Sequence, residues 1–355
     1  MKCSIYPYSD DLYPLIANAD ELVDDICITS VIYPVAWKKR IVHKAEIESV
    51  ISGSDFVKLS ADADCVIFAD ICRNSFMYGD ILEKAEYTLT SGRDVIFCTK
   101  INKDDEDRLR KKYPDRQIIM KNANPEGMGK YGYRHEDIQC AALGISGLYR
   151  GLDDVAAITG ITSQFRKKDI RTASVTTNAT LSLLGYYHFP SEIFTSGQEI
   201  ERQVASLNAF FKDVERRSKC DIMIIQFPDG IMKFIPEVYD SYGVKTFMIS
   251  RAIGIDYFVL ISLLEVLRPE AYDCIRAVLS GRFGLSLDSC LIQPVKIERE
   301  YSPEAQKILY TKNGADKAYE KLGDLKEAMK DLVFSVYDDS KVYERITESC
   351  ISKLT

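Results

Sequence analysis

Residues 155–185 have the layout of a phosphate-binding loop. An apolar run typical of a strand, 155–158, leads into Thr159 and Gly160, and a basic loop and a segment of helix length follow. In a working loop of this kind, backbone N–H groups converge on the phosphates, a lysine reaches the outer phosphate oxygens, and a serine or threonine hydroxyl holds Mg²⁺. The layout therefore predicts an anion-binding loop between a strand and the N-terminus of a helix.

The residues that make such a loop catalytic are missing from this segment. The pattern G-x-x-x-x-G-K-[ST] needs a second glycine five residues after Gly160, where the chain has Phe165. Counting back from the Gly-Tyr pair that ends the predicted helix places Arg171 and Thr172 where the lysine and the hydroxyl would lie. The candidates for phosphate or anion binding are Thr159, Gly160, Lys167, Lys168, Arg171 and Thr172. We expect a nucleotide with Mg²⁺ to bind weakly or not at all.

Cations are concentrated at the predicted N-terminus of this helix, namely Arg166, Lys167, Lys168 and Arg171. The dipole of a helix favours anions at its N-terminus, so cations there are unfavourable unless an anion or an acidic surface binds. The cluster is therefore either a contact for an acidic segment or a solvated loop.

One carboxylate follows a predicted strand at a position where parallel sheets bind ligands. In open α/β sheets, ligands bind outside the carboxyl ends of the strands. Asp229 follows the apolar run 221–227 within the sequence Pro228-Asp229-Gly230. A carboxylate beside a phosphate loop can hold Mg²⁺, which makes Asp229 a metal candidate. The alternative is that Pro-Asp-Gly forms a turn, since Asp caps turns and Gly adopts positive φ.

A second basic patch surrounds the single tryptophan of the chain. Trp37 is followed by Lys38, Lys39 and Arg40. Trp and Arg are enriched at binding hot spots, so Trp37, Lys38 and Arg40 are candidates for contact with a partner. The alternative is a tryptophan in the core.

The composition is that of an ordinary globular protein, with 46% apolar and 28% charged residues. A chain of 355 residues exceeds the size at which one core usually keeps growing, which favours two domains. The net charge of −7 argues against nucleic-acid binding, which normally requires a basic face. The most apolar long stretch, 246–267, contains charged residues, so we expect no membrane span. No signal peptide is visible, and we expect a cytoplasmic protein.

The ten cysteines stand singly along the chain, and none forms a C-x-x-C pair. Their spacing therefore supports neither a zinc ribbon nor a dithiol redox site. Several lie in apolar runs, where a reduced cysteine behaves as a small hydrophobic residue. We expect buried structural thiols.

Apolar runs of strand length alternate with helical segments in both halves of the chain, which indicates parallel sheets covered on both faces. The predicted fold class is α/β, with two Rossmann-like or P-loop-like parallel-sheet domains and a helical C-terminal extension. The stretch 122–133, rich in Gly, Asn and Pro, is the best candidate for the domain junction. The predicted boundaries are 1–125 for the Rossmann-like domain, 126–150 for the junction and a linker helix, 151–298 for the degenerate P-loop-like domain, and 299–355 for the extension.

Several stretches together resemble one protein family. They are IYPYSDDLYPLI near the N-terminus, Tyr-Pro-x-x-Trp at 33–37, DCVIFAD, DIMIIQFPDGIM and SRAIGIDY. The chain resembles, to about residue 320, the peptide maturation system proteins of clostridial natural-product gene clusters. The resemblance implies a role in maturing a ribosomally synthesised peptide, with a small Cys-rich precursor peptide and a radical SAM maturase as partners. Most members of that family have Gly in place of Asp229, a departure that argues against NTP hydrolysis.

Three functional hypotheses follow. The first is an accessory protein of peptide maturation, monomeric or homodimeric, that binds the precursor peptide or its maturase through the degenerate domain. The second is an active P-loop-type NTPase or kinase that uses Arg171, Thr172 and Asp229. The third is a protein that binds a small molecule in a cleft between two α/β domains.

Overall fold

The computed structural model of the protein shows two compact units. Unit 1 comprises Met1–Glu126 together with Asn178–His188, and unit 2 comprises Gly127–Thr177 and Phe189–Thr355. The residues that the structure describes are 1–37, 50–70, 77–122, 135–152, 155–194, 197, 199–235, 243–266, 268–302, 308–312, 322–323, 325–327, 329, 332–336 and 341–355. The chain therefore leaves unit 2 after Thr177 and returns to it at Phe189. The sequence did not predict that this short segment joins unit 1.

The sheet of unit 1 is entirely parallel, with the order β3-β2-β1-β4-β5-β6. Its strands are β1 (Lys2–Tyr6), β2 (Cys27–Ile32), β3 (Ile51–Gly53), β4 (Cys65–Phe68), β5 (Asp94–Phe97) and β6 (Ile118–Met120). Its helices are α1 (Tyr13–Ala17), α2 (Phe56–Ser60), α3 (Tyr78–Thr90) and α4 (Lys103–Lys112). The inserted segment contains a 3-10 helix, Ala179–Leu184, and a short strand, β9 (Tyr187–His188). This strand order is that of the Rossmann dinucleotide-binding fold.

The core of unit 1 forms where the apolar faces of α3 and α4 meet the sheet. Ile81, Ala85 and Leu89 recur every four residues along α3 and are buried against the strand residues Phe68 and Phe97. In α4, acidic residues fill the first turn and basic residues the last, which matches the dipole of a helix.

Unit 2 is built on a second parallel sheet, in which the strands follow the order β15-β12-β11-β7-β10-β8. These strands are β7 (Ala141–Gly147), β8 (Thr172–Thr176), β10 (Ile222–Gln226), β11 (Tyr257–Leu263), β12 (Ser289–Gln293) and β15 (Val333–Val336). A separate antiparallel pair joins β13 (Val295–Ile297) to β14 (Tyr310–Lys312). The helices are α5 (Val155–Lys167), α6 (Ile200–Ser218), α7 (Val244–Ala252), α8 (Pro269–Val278) and α9 (Val342–Leu354). The predicted α/β class with two parallel-sheet units and a C-terminal helix is confirmed.

Two local predictions are wrong. The linker helix expected within 126–150 does not form in its described part, residues 135–150, where Ala141–Gly147 is the central strand β7. Its Ala- and Gly-rich sequence suits a strand that is closely covered on both faces, and an added Cβ at Gly144 would lie 3.0 Å from the Phe258 ring. The C-terminal region is not wholly helical either, since Val333–Val336 pairs with β12 and buries Phe334.

Helices α5 and α9 pack against each other in unit 2 through a glycine. A Cβ added at Gly160, in the middle of α5, would overlap the ring of Tyr343 in α9. Glycine in a helix interior is unfavourable relative to alanine by about 0.5–1 kcal/mol, so its presence here reflects the close approach of the ring.

Replacing Gly160 by Ala tests this packing. We expect Gly160→Ala to lower the free energy of unfolding of unit 2 by about 1–3 kcal/mol, because the added methyl displaces Tyr343. Gly79→Ala is the matched control, since Gly79 also lies in a helix and no atom lies within 4 Å of its added Cβ. Urea unfolding should show that the control is as stable as the native protein or more stable. Equal behaviour of the two variants would contradict the packing argument.

Candidate functional site

The strongest candidate site lies at the carboxyl edge of the unit 2 sheet, where β7 and β10 end side by side. Residues 145 and 226 are paired near the ends of these strands. Beyond them, the N–H of Ile231 donates to the carbonyl of Gly147 at 3.1 Å, and that of Met232 donates to Leu148 O at 3.0 Å. The two segments that leave the sheet therefore run against each other.

The loop between β7 and α5 takes the place of a phosphate loop, and it comprises residues 148–154. The run 155–158, predicted as a strand, is the first turn of α5. Val155, Ile158 and Phe165 are buried at the three- and four-residue spacings of a helix face. A run of four apolar residues is compatible with either a strand or a buried helix, which explains why the prediction was wrong.

The catalytic signature is missing at this position too. Counted from Gly147, the pattern G-x-x-x-x-G-K-[ST] meets Leu152 in place of its second glycine. The lysine and the hydroxyl residue are replaced in the sequence by Asp153 and Asp154, which lie outside the described residues. Carboxylates repel phosphate where the lysine would attract it.

The described part of the loop, 148–152, is held by contacts with its own chain. The backbone of 149–150 lies so close to Gly230 that a Cβ there would stand 2.6 Å from Arg150 N. The Tyr310 hydroxyl donates to Arg150 O at 2.9 Å, and the N–H of Leu148 donates to Ile261 O at 2.7 Å. The Tyr149 ring packs edge-on against Phe234 at a centroid distance of 5.5 Å, and burial raises the pKa of its hydroxyl. These contacts fix the path of the loop backbone.

Asp229 lies at this same edge, immediately after β10, and is only 3% exposed. Its Oδ2 accepts the N–H of Lys245 at 3.0 Å, and its carbonyl accepts the hydroxyl of Ser146 at 2.9 Å. Its Oδ1 accepts no hydrogen bond and lies 4.0 Å from Lys245 Nζ. Because Lys245 is in the first turn of α7, the carboxylate lies where the dipole of that helix favours an anion. Asp229 therefore holds the turn and the start of α7 in place.

The metal role of Asp229 stays a prediction. Among the described residues, no group of three or more His, Cys, Asp or Glu side chains is arranged to hold a metal ion. The orphaned Oδ1 is the atom that such an ion would use.

The basic cluster lies at the opposite edge of the sheet from Asp229. Arg166 and Lys167 are in the last turn of α5, and Lys168 follows it, so the cations stand at the C-terminus of a helix. The expected N-terminal position is wrong because the helix precedes the cluster. Cations at a helix C-terminus are favoured by the dipole, so the cluster is stable without a bound anion.

The remaining loop candidates have structural contacts. Arg171 donates from Nε to Asp221 Oδ2 at 3.0 Å, and Lys168 Nζ lies 3.4 Å from Glu348 Oε1. Thr159 is buried within α5 and donates to the carbonyl of Val155 at 2.8 Å. Thr172, expected at a helix start, is the first residue of β8, and its buried hydroxyl has no hydrogen-bond partner. The structure thus brings Lys167, Lys168 and Arg171 to one edge and leaves Thr159 and Gly160 inside α5.

The second basic patch is described only at its start. Trp37 ends a 3-10 helix, Val35–Trp37, and its side chain is half-buried. Lys38 and Arg40 lie outside the described residues.

The sheet of unit 1 has a ligand position of its own, between the carboxyl ends of β1 and β4, where the strand order reverses. After β1 the sequence 6–11, YPYSDD, contains no glycine to admit a pyrophosphate. After β4, the N–H of Asp70 donates to Thr180 Oγ1 at 2.7 Å, and the N–H of Ala179 donates to the Asp70 carboxylate at 3.3 Å. The inserted segment therefore contacts the carboxyl edge of this sheet, the edge at which open α/β sheets bind ligands. Sequence analysis missed this contact because 110 residues separate Asp70 from Thr180.

Comparison with known proteins identifies the fold. No protein-family model and no curated protein sequence matches the chain. A DUF1611 family protein from Anabaena variabilis ATCC 29413 is similar in structure, with a TM-score of 0.61 and 11% identity over 99% of each chain. Two further structures are less similar. MinD from Aquifex aeolicus has a TM-score of 0.35 and 10% identity, over 59% of this chain and 87% of that one. An ADP-bound nucleotide-binding protein from Archaeoglobus fulgidus has a TM-score of 0.34 and 9% identity, over 61% of this chain and 88% of that one. The chain therefore has the fold of the DUF1611 protein along its whole length.

Of the helices in the described ranges, none is long and apolar enough to cross a bilayer.

Substitution of Asp229 separates its structural role from a metal role. Asp229→Ala leaves the N–H of Lys245 without its acceptor and should lower the free energy of unfolding by about 1–2 kcal/mol. Asp229→Asn keeps an oxygen acceptor and should cost less. Urea unfolding measures both variants.

The same variants test the metal prediction in a second measurement. A metal role requires MgCl₂ to raise the melting temperature of the native protein but not that of Asp229→Asn. Identical responses would refute the metal role and leave the structural one intact.

Proposed function

We propose that this protein is an accessory protein in the maturation of a ribosomally synthesised peptide, and that it binds a protein or peptide partner and hydrolyses no nucleotide. The peptide role is supported by the sequence resemblance over residues 5–16, 33–37 and 221–232, among other stretches. The proposed partners are a small Cys-rich precursor peptide and the radical SAM maturase that acts on it.

The sequence of the loop after β7 is the observation that supports the absence of nucleotide hydrolysis. Phosphate loops bind through N–H groups, a lysine and a hydroxyl. Here the sequence supplies Leu152 and two aspartates at those positions, and the backbone at Arg150 is packed against Gly230. The fold therefore retains the frame of a nucleotide-binding domain while the loop has lost the groups that bind phosphate. Such a domain is suited to a binding role.

A test with nucleotides follows directly. We expect calorimetric titration with Mg-ATP and with Mg-GTP to show weak binding or none, because the loop has no lysine. Tight binding that is lost in Asp229→Asn would favour the NTPase hypothesis and overturn the proposal. Arg171→Ala is the matched control, since Arg171 pairs with Asp221 at the other edge of the sheet.

The surface proposed for the partner is the end of α5. Lys167 and Lys168 are exposed, and the second lies beside Glu348 on α9 at 3.4 Å. A surface ion pair of this kind contributes about 0–1 kcal/mol, so an acidic segment of a partner can replace it at little cost. The helix dipole places a partial negative charge at the C-terminus of α5. The two exposed lysines outweigh it, so this surface is positively charged.

Charge reversal tests this surface. We expect Lys167→Glu with Lys168→Glu to weaken binding of the precursor peptide encoded beside the gene, or of its maturase, by roughly 2- to 30-fold, from two contacts of about 0.2–1 kcal/mol each. The loss should shrink as salt is added, because salt screens exposed charges. Fluorescence anisotropy with labelled peptide and calorimetry with the maturase measure it.

The matched control is Lys111→Glu with Lys112→Glu, which makes the same charge change at the C-terminus of α4. Equal binding by both double variants at low salt would show that the end of α5 is only a solvated surface. Failure of the native protein to bind either partner would refute the peptide-maturation role itself.

A further inference from the structure

Two cysteines that are far apart in sequence meet at the amino edge of the unit 2 sheet. Cys140 precedes β7 and Cys220 precedes β10, and these two strands are neighbours. The register pairs Ala141 with Ile222, and the N–H of Ala141 donates to Asp221 O at 3.1 Å. Adjacent strands lie about 4.8 Å apart and rise about 3.3 Å per residue, which places the two cysteine Cα atoms roughly 6 Å apart. Disulfides span Cα distances of about 4.4–6.8 Å.

The two thiols are close enough for each to shift the pKa of the other. The Cys140 thiol lowers the pKa of the Cys220 thiol, burial opposes this effect, and the Ser218 hydroxyl adds a smaller lowering. Glu215 also opposes the lowering, since its carboxylate accepts the N–H of Cys140 at 2.8 Å and lies near both sulfurs. The net result is that the pKa of Cys220 lies below the ordinary value of a cysteine, so its thiolate forms at lower pH.

A second thiol pair in unit 1 provides an internal comparison. Cys3 and Cys65 are register partners on β1 and β4, and each of their thiols shifts the pKa of the other. Both are 0% exposed, whereas Cys140 is half-buried and Cys220 is 7% exposed. A dissolved reagent can therefore reach the pair in unit 2 beside Cys140, and the pair in unit 1 is shielded from it.

We propose that Cys140 and Cys220 form a thiol–disulfide exchange site that a low-molecular-weight disulfide oxidises to an intrachain disulfide. The Cys220 thiolate attacks one sulfur of the small disulfide, which forms a mixed disulfide and releases one small thiolate. The Cys140 thiol passes its proton to that thiolate and attacks Cys220 Sγ. This step closes the Cys140–Cys220 bond and releases the second small thiolate. Two protein thiols lose two electrons, and the small disulfide gains them.

The oxidant that fits this site is small, because Cys220 is 7% exposed and Cys140 is half-buried. The Glu215 carboxylate beside the pair is neutralised by the ammonium group of Lys212, with which it forms a salt bridge. We therefore expect hydroxyethyl disulfide to oxidise the pair faster than the larger oxidised glutathione does, at low and at high salt.

Peptide mapping of the full chain tests the proposal. After incubation with hydroxyethyl disulfide, alkylation and digestion, we expect a disulfide-linked peptide that joins Cys140 to Cys220, and dithiothreitol should remove it. Cys3 and Cys65 should remain free thiols. The exposed residues Cys27 and Cys274 should form mixed disulfides, which confirms that the oxidant is active. If those two react while Cys140 and Cys220 stay reduced, the proposal is wrong.

Single variants separate exchange chemistry from simple proximity. Cys140→Ala removes the thiol that resolves the mixed disulfide, so the mixed disulfide should accumulate on Cys220. A thiol whose pKa is lowered is ionised at a lower pH than an ordinary cysteine. Alkylation of Cys220 in the reduced native protein should therefore rise with pH around a midpoint below that of an ordinary cysteine, and the midpoint should move upward in Cys140→Ala. Cys3→Ala is the control and should change neither result. An unchanged midpoint in Cys140→Ala would overturn the assigned contact between the thiols.

Discussion

The pairing of β7 with β10 is the interaction on which both candidate sites of unit 2 depend. Among the described residues, the two loops of the carboxyl edge follow β7 and β10, and the two cysteines of the amino edge precede the same strands. Their five paired residues fix the register, and a slip of one residue would exchange the faces on which every side chain lies. At the carboxyl edge, that register brings Gly230 against Arg150, which lies in the loop between β7 and α5. At the other end, it brings two thiols into contact.

The loop after β7 shows that this α/β frame does not depend on phosphate-binding residues. Strand β7 and helix α5 pack together whatever the loop contains, because they bury each other's apolar faces. The loop itself contributes little to that core. Asp229 has a structural role at the same edge, because its carboxylate accepts the N–H of Lys245 in the first turn of α7. The DUF1611 protein has a similar fold at 11% identity, so this frame forms from largely different sequences.

Sequence reasoning predicted the α/β class because apolar runs of strand length, such as Cys65–Phe68 and Asp94–Phe97, alternate with segments of helix length. It was wrong where the pattern was ambiguous. The strand β7 is rich in Ala and Gly, which have weak strand preference, so its sequence indicates a junction, whereas the apolar first turn of α5 has the pattern of a strand. This shift reversed the electrostatic argument for the basic cluster, since cations that oppose the dipole at an N-terminus are stabilised by it at a C-terminus.

The contacts that sequence spacing could not predict are those that the sheet makes between distant segments. A C-x-x-C search detects thiols that a single turn brings together, whereas Cys140 and Cys220 meet because parallel strands start at the same edge. The contact of Asp70 with Thr180 could not be predicted from sequence spacing either, because Thr180 lies in a segment that leaves unit 2 and joins unit 1. In a parallel sheet every crossover returns the chain to the same edge. Residues that precede neighbouring strands are therefore candidates for contact at any sequence separation, and a search for thiol pairs in α/β proteins should compare strand starts in addition to local spacing.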